Sequence, residues 1–333
     1  MAGAWCCLVG TKPQRVLRAL PGYAVRLVIA ATSLAALGLA AVCVISWVPA
    51  WPCVLFEHFR VQYVVLGGCM VVATAALRLR GYFDIAAIST LLNALPVVAS
   101  LTARPGTETR DGIPIRVLVL NVHTENSSFE QVRRLIAAER PDVIGLVEVD
   151  RRWIDALAPA LTSYSGRIEE PRSDNFGIAF YARGDVDGKV LELASPLPNV
   201  IADVSVGASR FSVILTHPLP PMSGAAVQQQ QAQFDAVAAQ ARAAARPALV
   251  MGDFNATPWS RPFVRLLERS GLCDSRAGFG VQTTFPSSST LLQIPIDHLL
   301  ASCSVGVRDR RIGPDVGSDH LPVIVDLVVP VVR

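Results

Sequence analysis

Three long stretches without a single charged residue, at positions 27–56, 61–77 and 85–103, constrain this chain more than any other feature. A helix needs about 20 apolar residues to cross the hydrocarbon core of a bilayer. The first stretch is ample, the third adequate, and the second at the lower limit. The reading is three transmembrane helices at about 27–50, 61–78 and 84–103. Burial of the same runs inside a globular core is the competing reading. A cleaved signal peptide would account for the first run but leave the later two unexplained. The whole chain agrees: it is 51% hydrophobic with a mean hydropathy of +0.41, too apolar for an ordinary soluble domain.

Charge divides the chain at the same place. Of the 30 Lys/Arg and 27 Asp/Glu, seven basic and two acidic residues precede position 102, leaving 23 basic and 25 acidic after it. The basic balance therefore belongs to the apolar third. The remainder carries a net charge of −2, which argues against a domain that grips nucleic acid electrostatically. Lys12, Arg15, Arg18 and Arg26 precede the first apolar run, and Arg78 and Arg80 follow the second. Cytoplasmic loops favour Lys and Arg. The N-terminus and the second loop are thus expected inside and the large C-terminal domain outside, although Arg104 and Arg110 weaken the asymmetry. Only Cys273 and Cys303 fall in the large domain; they read either as one disulfide in an external domain or as two buried thiols.

The expected organisation is a membrane anchor over 1–103, a linker over 104–114 rich in Pro, Gly and Thr, and a folded domain over 115–333. Short apolar runs at 115–120, 143–147, 178–181, 200–206, 211–215, 248–251, 296–301, 304–308 and 323–329 read as strands. Ser127 with Glu130 reads as a capping box opening a helix that stops before Pro141. An Ala/Gln-rich segment at 225–245 reads as a long helix, and 262–268 as a short one. Strands interleaved with helices at this spacing give an α/β or α+β domain.

The polar residues that stand out sit where apolar strands stop. Asn121 ends the first strand and Glu148 the second; His217 follows the run at 211–215, and Asp253 and Asn255 follow 248–251. Asp297 lies inside an apolar stretch, and Asp319 and His320 precede the last strand. Strand ends are where a sheet presents groups to a shared cleft. Carboxylates, amides and imidazoles gathered there have the composition of a hard-cation site, and no Cys or paired His spacing suggests zinc. Taken alone, Asp253 and Asn255 would pass as turn residues and Asp297 as a hydrogen-bonded core carboxylate. His298 reads as structural, His58 and His123 as incidental.

Asn121, Glu148, Thr216-His217, Gly252-Asp253-Phe254-Asn255, Ile296-Asp297-His298 and Ser318-Asp319-His320 occur in the order of the endonuclease/exonuclease/phosphatase superfamily, which the region 115–329 resembles. The resemblance implies a four-layer sandwich of two packed mixed β-sheets flanked by helices, preceded here by the three membrane helices. It implies a phosphoesterase using Mg2+, or Mn2+ in its place. Glu148 is similar to the principal metal ligand, with Asn121 beside it holding a phosphate oxygen or a metal-bound water, and Asp319 resembles a second metal-site carboxylate. Asp253 would orient and deprotonate the attacking water, and Asn255 would donate to the transition-state oxyanion. His320 would contact the scissile phosphate, with Asp297 fixing its tautomer, and His217 would contact phosphate or act as an acid. Asn175 lies near a loop that contacts substrate in the family.

The anchor-plus-domain arrangement is similar to the membrane proteins of this superfamily associated with teicoplanin and related glycopeptide resistance. That likeness implies a multi-pass protein of the cell membrane with an extracytoplasmic catalytic domain. It implies a phosphorylated-lipid substrate of cell-wall metabolism, such as undecaprenyl pyrophosphate. A membrane-tethered extracytoplasmic nuclease and a non-catalytic membrane scaffold are the rival readings; nucleic acid is the less favoured partner.

Overall fold

The computed structural model describes residues 22–102 and 112–331. Lys12, Arg15 and Arg18 and most of the expected linker lie outside the described residues. Contacts divide the chain into two compact units. Among the described residues, one holds those up to Pro49 and Phe59–Pro96; the other joins Ala50–His58 to Val97 and those that follow it.

The first unit is built from helices α1 (Gly22–Ile45), α2 (Arg60–Ala76) and most of α3 (Arg80–Thr102). All three apolar runs form helices long and apolar enough to cross a membrane, with only 17–22% of each buried within the protein. Such helices gain little from apolar contact in lipid and associate through small and polar groups instead. Arg60 fills that role: it is buried, donates to Asn93 Oδ1 at 3.1 Å and to the Ser46 carbonyl at 3.2 Å, and lies over the Trp47 ring. It thereby ties the end of α1, the start of α2 and the middle of α3.

The second unit contains two six-stranded sheets. The first orders its strands β11 (Gly306–Ile312), β12 (Val323–Val329), β1 (Ile113–Asn121), β2 (Val143–Val147), β4 (Ile178–Ala182) and β3 (Gly166–Glu170). The second orders β5 (Asp185–Glu192), β6 (Pro198–Val206), β7 (Ser209–Thr216), β8 (Ala248–Asp253), β10 (Asp297–Ser302) and β9 (Leu272–Asp274). Each sheet is mixed, with one parallel pair, β1–β2 and β7–β8.

Alternation along the strands builds the layers. Val117 and Val119 of β1 face the core between the sheets with Val213, Leu215 and Met251, while Leu118 and Leu120 face an outer core. That outer core is closed by α4 (Phe129–Glu139) and α5 (Arg151–Leu157), which contribute Val132, Ile136 and Trp153. On the far side, α6 (Gly224–Ala243) and α7 (Arg261–Ser270) cover the second sheet with Phe234, Val237 and Phe263. The result is the expected four-layer sandwich of two packed mixed sheets flanked by helices.

Differences from the sequence reading have local causes. β1 begins at Ile113, inside the expected linker, because Ile113 pairs with Val329 at the far end of β12. The cap of α4 is Ser128, not Ser127, and Glu130 makes no capping bond; it pairs with Arg133 and Arg134 one turn on. The strands β3, β5 and β9 and the helix α5 were unforeseen. β3 and β5 are polar edge strands, and α5 spans under two turns between two strands, held by Asp150, whose side chain accepts from Trp153 N–H. Cys273 and Cys303 form a disulfide that fastens the edge strand β9 to the end of β10. Closing a loop of this length stabilises a fold by about 3–4 kcal/mol in the chain-entropy picture.

The two sheets pack tightly at Gly145 in the middle of β2, where a β-carbon would lie 2.9 Å from Met251 Sδ and 3.0 Å from Leu215 Cδ1. Gly145→Val overfills this point and is expected to destabilise the second unit by about 1–3 kcal/mol. Chemical denaturation of the parent and variant measures the effect; equal midpoints would show that the interface between the sheets has room to spare.

Candidate active site

Strand direction brings the six polar clusters together. β1 and β2 run parallel, so Asn121 and Glu148 leave the first sheet at the same end. β7 and β8 run parallel, so Thr216-His217 and Asp253 leave the second sheet together. β10 runs against β8 with Asp297 opposite Asp253. β12 runs against β1 with Val323 opposite Val119, which puts Ser318-Asp319-His320 beside the end of β1. A hydrogen bond from Ser318 Oγ to the Asn121 carbonyl (2.7 Å) fastens that last turn, and His320 N–H donates to the same hydroxyl.

Asn121 is the centre of the arrangement. It is fully buried, and its amide Nδ2 donates to Glu148 Oε1 at 2.8 Å and to Asp253 Oδ2 at 3.1 Å, one carboxylate from each sheet. His320 Nε2 lies 3.5 Å from the same nitrogen and 3.6 Å from Asp253 Oδ2. His217 Nε2 reaches Asp253 Oδ2 at 3.5 Å. His320 Nδ1–H donates to Asp297 Oδ2 at 2.8 Å, with both residues buried. Asp319, a partly exposed carboxylate, meets His123 Nδ1 at 3.4 Å.

Of the sequence-predicted site residues, Asn121, Glu148, His217, Asp253, Asp297 and His320 thus form one connected set. Asn255 adjoins it: its N–H donates to Asp253 Oδ1 at 2.8 Å, and its amide donates to the Pro218 carbonyl, just beyond His217. Asp319 joins through His123, which the sequence reading set aside. Asn175 stands exposed on the loop before β4 and makes no bond to the set; the neighbouring Phe176 ring packs 5.2 Å from His217.

The backbone is unusual here. His123, Glu148, Asn175 and Asn255 all hold positive φ, between +49° and +67°. Such a conformation costs an L-residue about 1 kcal/mol or more and tends to survive where function demands it. Gly252, at φ +140°, approaches so closely that a β-carbon would lie 2.0 Å from the Thr216 carbonyl oxygen; only glycine can sit there between β7 and Asp253.

Residues absent from the sequence reading hold the site from behind. Gln230 of α6 donates to the carbonyls of Leu219, Phe254 and Asn255. Gln233, one turn along, donates to Thr216 Oγ1 and Asn199 Oδ1, fixing the residue before His217. In the sequence Gln230 is lost in a run of four glutamines, and Gln233 follows two residues past its end on the same Ala-rich helix. His298 is structural as expected: it is buried, donates through Nε2 to the Ala256 carbonyl at 2.8 Å, and packs on Phe254 and Phe263. Burial lowers its pKa to about 4, so it is neutral.

Charge is partitioned unevenly. Burial works against a charged His320, but Asp297, Asp253 and Asp319 outweigh it and push its pKa up to about 10. Burial likewise raises Asp297, and the proton the pair shares rests on the imidazole, which faces two carboxylates at once. Asp253 is buried too, yet His320, His217 and the Asn255 N–H hold it well below the usual carboxylate range. It is a permanent anion, suited to accepting a hydrogen bond from a water molecule.

A divalent cation fits this donor set. Asp253, Asp297 and His320 have ligand atoms within 4.8 Å of one another. In that trio, however, Asp297 Oδ2 and His320 Nδ1 already bind each other. Glu148 is less encumbered: it lies partly buried at a strand end, and its carboxylate oxygens accept, among the described residues, from the N–H groups of Asn121 and Thr124.

Asp297→Asn tests the electrostatics. A raised folded-state pKa means that the His320 proton contributes stability fully present below about pH 6.5 and lost as pH climbs toward 10. The variant should move the His320 titration down by about one pH unit or more. An NMR titration of the His320 ring protons reads this directly, and an unchanged midpoint would remove Asp297 as the cause.

Comparison with known proteins agrees with the geometry. Residues 118–320 match the model of the Endonuclease/Exonuclease/phosphatase family. No curated protein shows significant sequence similarity to the chain. Among solved structures, humanized TDP2 from D. rerio aligns with a TM-score of 0.54 at 15% identity, over 64% of this chain and 98% of that one. An endonuclease/exonuclease/phosphatase from Beutenbergia cavernae DSM 12333 aligns with a TM-score of 0.51 at 22% identity, over 65% of this chain and 72% of that one. The 3' phosphatase NExo from Neisseria, bound to a product DNA hairpin, gives 0.51 at 22%, over 63% and 98%. With more than half of its length matched by the family model and with the family's two-sheet sandwich, the chain belongs to the endonuclease/exonuclease/phosphatase family.

Proposed function

We propose that this divalent-metal-dependent phosphoesterase is a multi-pass membrane enzyme that hydrolyses a lipid-linked phosphate ester or pyrophosphate, of the polyprenyl pyrophosphate class, outside the cytoplasmic membrane. One observation carries the reading: the catalytic unit follows three helices long and apolar enough to span a bilayer. Tethering of this kind raises the effective concentration of lipid headgroups around the domain.

The orientation has two supports. Three crossings put the Ala50–His58 loop and the catalytic domain on one face, and Arg26, Arg78 and Arg80 with the basic N-terminus on the other, which is the cytoplasmic side by the positive-inside rule. The Cys273–Cys303 disulfide belongs to an oxidising compartment.

When bound, Mg2+ or Mn2+ supplies charge neutralisation at the phosphoryl group and lowers the pKa of water. Glu148, Asn121 and Asp319 are the groups that would hold it. Asp253, anionic throughout the neutral range, orients the attacking water as a hydrogen-bond acceptor. Asn255 and the His320 imidazolium donate to the phosphoryl oxygens as charge builds there. Asp297 keeps the His320 proton on the side facing substrate by holding Nδ1.

DNA is the second candidate substrate, because the Neisseria enzyme is a 3' phosphatase bound to a DNA hairpin and a D. rerio TDP2 structure holds single-stranded DNA product. The net charge of −2 after residue 101 favours the lipid.

Purified full-length protein assayed with Mg2+ against polyprenyl pyrophosphate, plasmid DNA and bis(p-nitrophenyl) phosphate separates the two. Turnover of the lipid is expected; turnover of DNA alone would replace the lipid with a nuclease reading. His320→Ala should reduce turnover by at least about 10²-fold, and near-normal rates would take it out of the mechanism. Glu148→Gln should raise the Mg2+ concentration needed for half-maximal activity, and an unchanged requirement would leave the ligand role to another residue.

A further inference from the structure

The catalytic turn Gly252–Thr257 is held residue by residue. Asn255 N–H is bound to the Asp253 carboxylate, the Phe254 and Asn255 carbonyls accept from Gln230, and the Ala256 carbonyl accepts from His298. These partners belong to the folded domain itself. The next residue is bound by a segment almost 200 positions away. Thr257 N–H donates to His58 Nδ1 at 3.4 Å, and the Thr257 hydroxyl lies 3.2 Å from the same nitrogen.

We infer that His58, on the loop joining the first two apolar helices, is a positioning residue for the catalytic turn, so that the loop is part of the catalytic unit. Its environment is that of a built contact. His58, Thr257, Trp259 and Ser260 are all buried. Trp259 Nε1–H donates to the Glu57 carbonyl at 2.9 Å and is 3.3 Å from that of His58. Glu57, also buried, accepts from Arg261 Nε at 3.2 Å. Ala50–His58 groups with the catalytic domain rather than with the helices that flank it in sequence.

The chemistry fixes the tautomer. Nδ1 accepts from a backbone N–H, so the ring proton resides on Nε2. Thr257 lies two residues from Asn255, whose amide must meet the developing oxyanion with an accuracy of a few tenths of an ångström. A displacement of about 1 Å at such a group costs on the order of 100-fold in rate. An acceptor at the Nδ1 position is what the turn requires, and asparagine presents its side-chain oxygen at about the same reach; alanine presents nothing.

The inference rests on the phosphoesterase reading, and the test keeps the two apart. Full-length parent, His58→Ala and His58→Asn, reconstituted in lipid nanodiscs, are compared in two measurements. The first is hydrogen–deuterium exchange of the 253–257 backbone amides, which needs no substrate. The second is Mg2+-dependent turnover of bis(p-nitrophenyl) phosphate. His58→Ala is expected to speed exchange in the turn by about 10-fold and to lower kcat by about 10-fold with KM unchanged. His58→Asn is expected to restore most of both. Unchanged exchange in His58→Ala, or failure of asparagine to rescue a folded protein, overturns the positioning role. If His58→Ala does not fold, the asparagine variant decides alone: parent-like exchange upholds the role and accelerated exchange ends it. A parent without turnover on any phosphoester counts against the enzymatic reading, and the exchange measurement still decides the fate of His58.

Discussion

The bond pair from Asn121 Nδ2 to Glu148 and Asp253 is the contact on which the rest of the site depends. It joins a carboxylate at the edge of one sheet to a carboxylate at the edge of the other. Two buried or partly buried anions this close would repel strongly without a donor between them. The amide supplies that donor while adding no charge, leaving the anions free to attract a cation and to hold the His320 proton. The strand register explains why the amide can stand there: each sheet contributes one parallel pair, and both pairs end at the same rim.

Much of this was readable in the residues, for a physical reason. Strands packed on both faces are runs of Val, Ile and Leu, so a polar residue at the end of such a run stands out. Asn121 and Glu148 stood at such ends; Asp253 could equally have been a turn residue and Asp297 a core carboxylate, and it was their order along the chain that joined them. β3 and β5 did not, because edge strands with solvated faces carry Glu, Asp and Lys and show no clean period. Gln230 and Gln233 escaped because their partners lie 11 to 38 positions away, and glutamine in a helix is ordinary filler. His58 gave no signal for the same reason in extreme form: the residue it contacts is 199 positions distant.

The two units solve different problems with similar means. In the apolar helices, Arg60 is held at its two terminal nitrogens by Asn93 and the Ser46 carbonyl. In the sandwich, Asp297 is held at Oδ2 by His320. In both, an ionisable group is fixed in low-dielectric surroundings by partners from separate elements, and fixing it fixes those elements.

The reach from His58 to Thr257 also bears on how the molecule is made. A ribosome delivers the first helical hairpin long before the segment that its loop must clasp. Through the synthesis of nearly 200 residues Glu57 and His58 await their partners, and the turn carrying Asp253 closes against them only near the end of the chain. Contacts so far apart in sequence are slow to form and late to reward the folding chain. The hairpin is therefore synthesised before the turn that its loop contacts, and that order is written into the address of a single histidine.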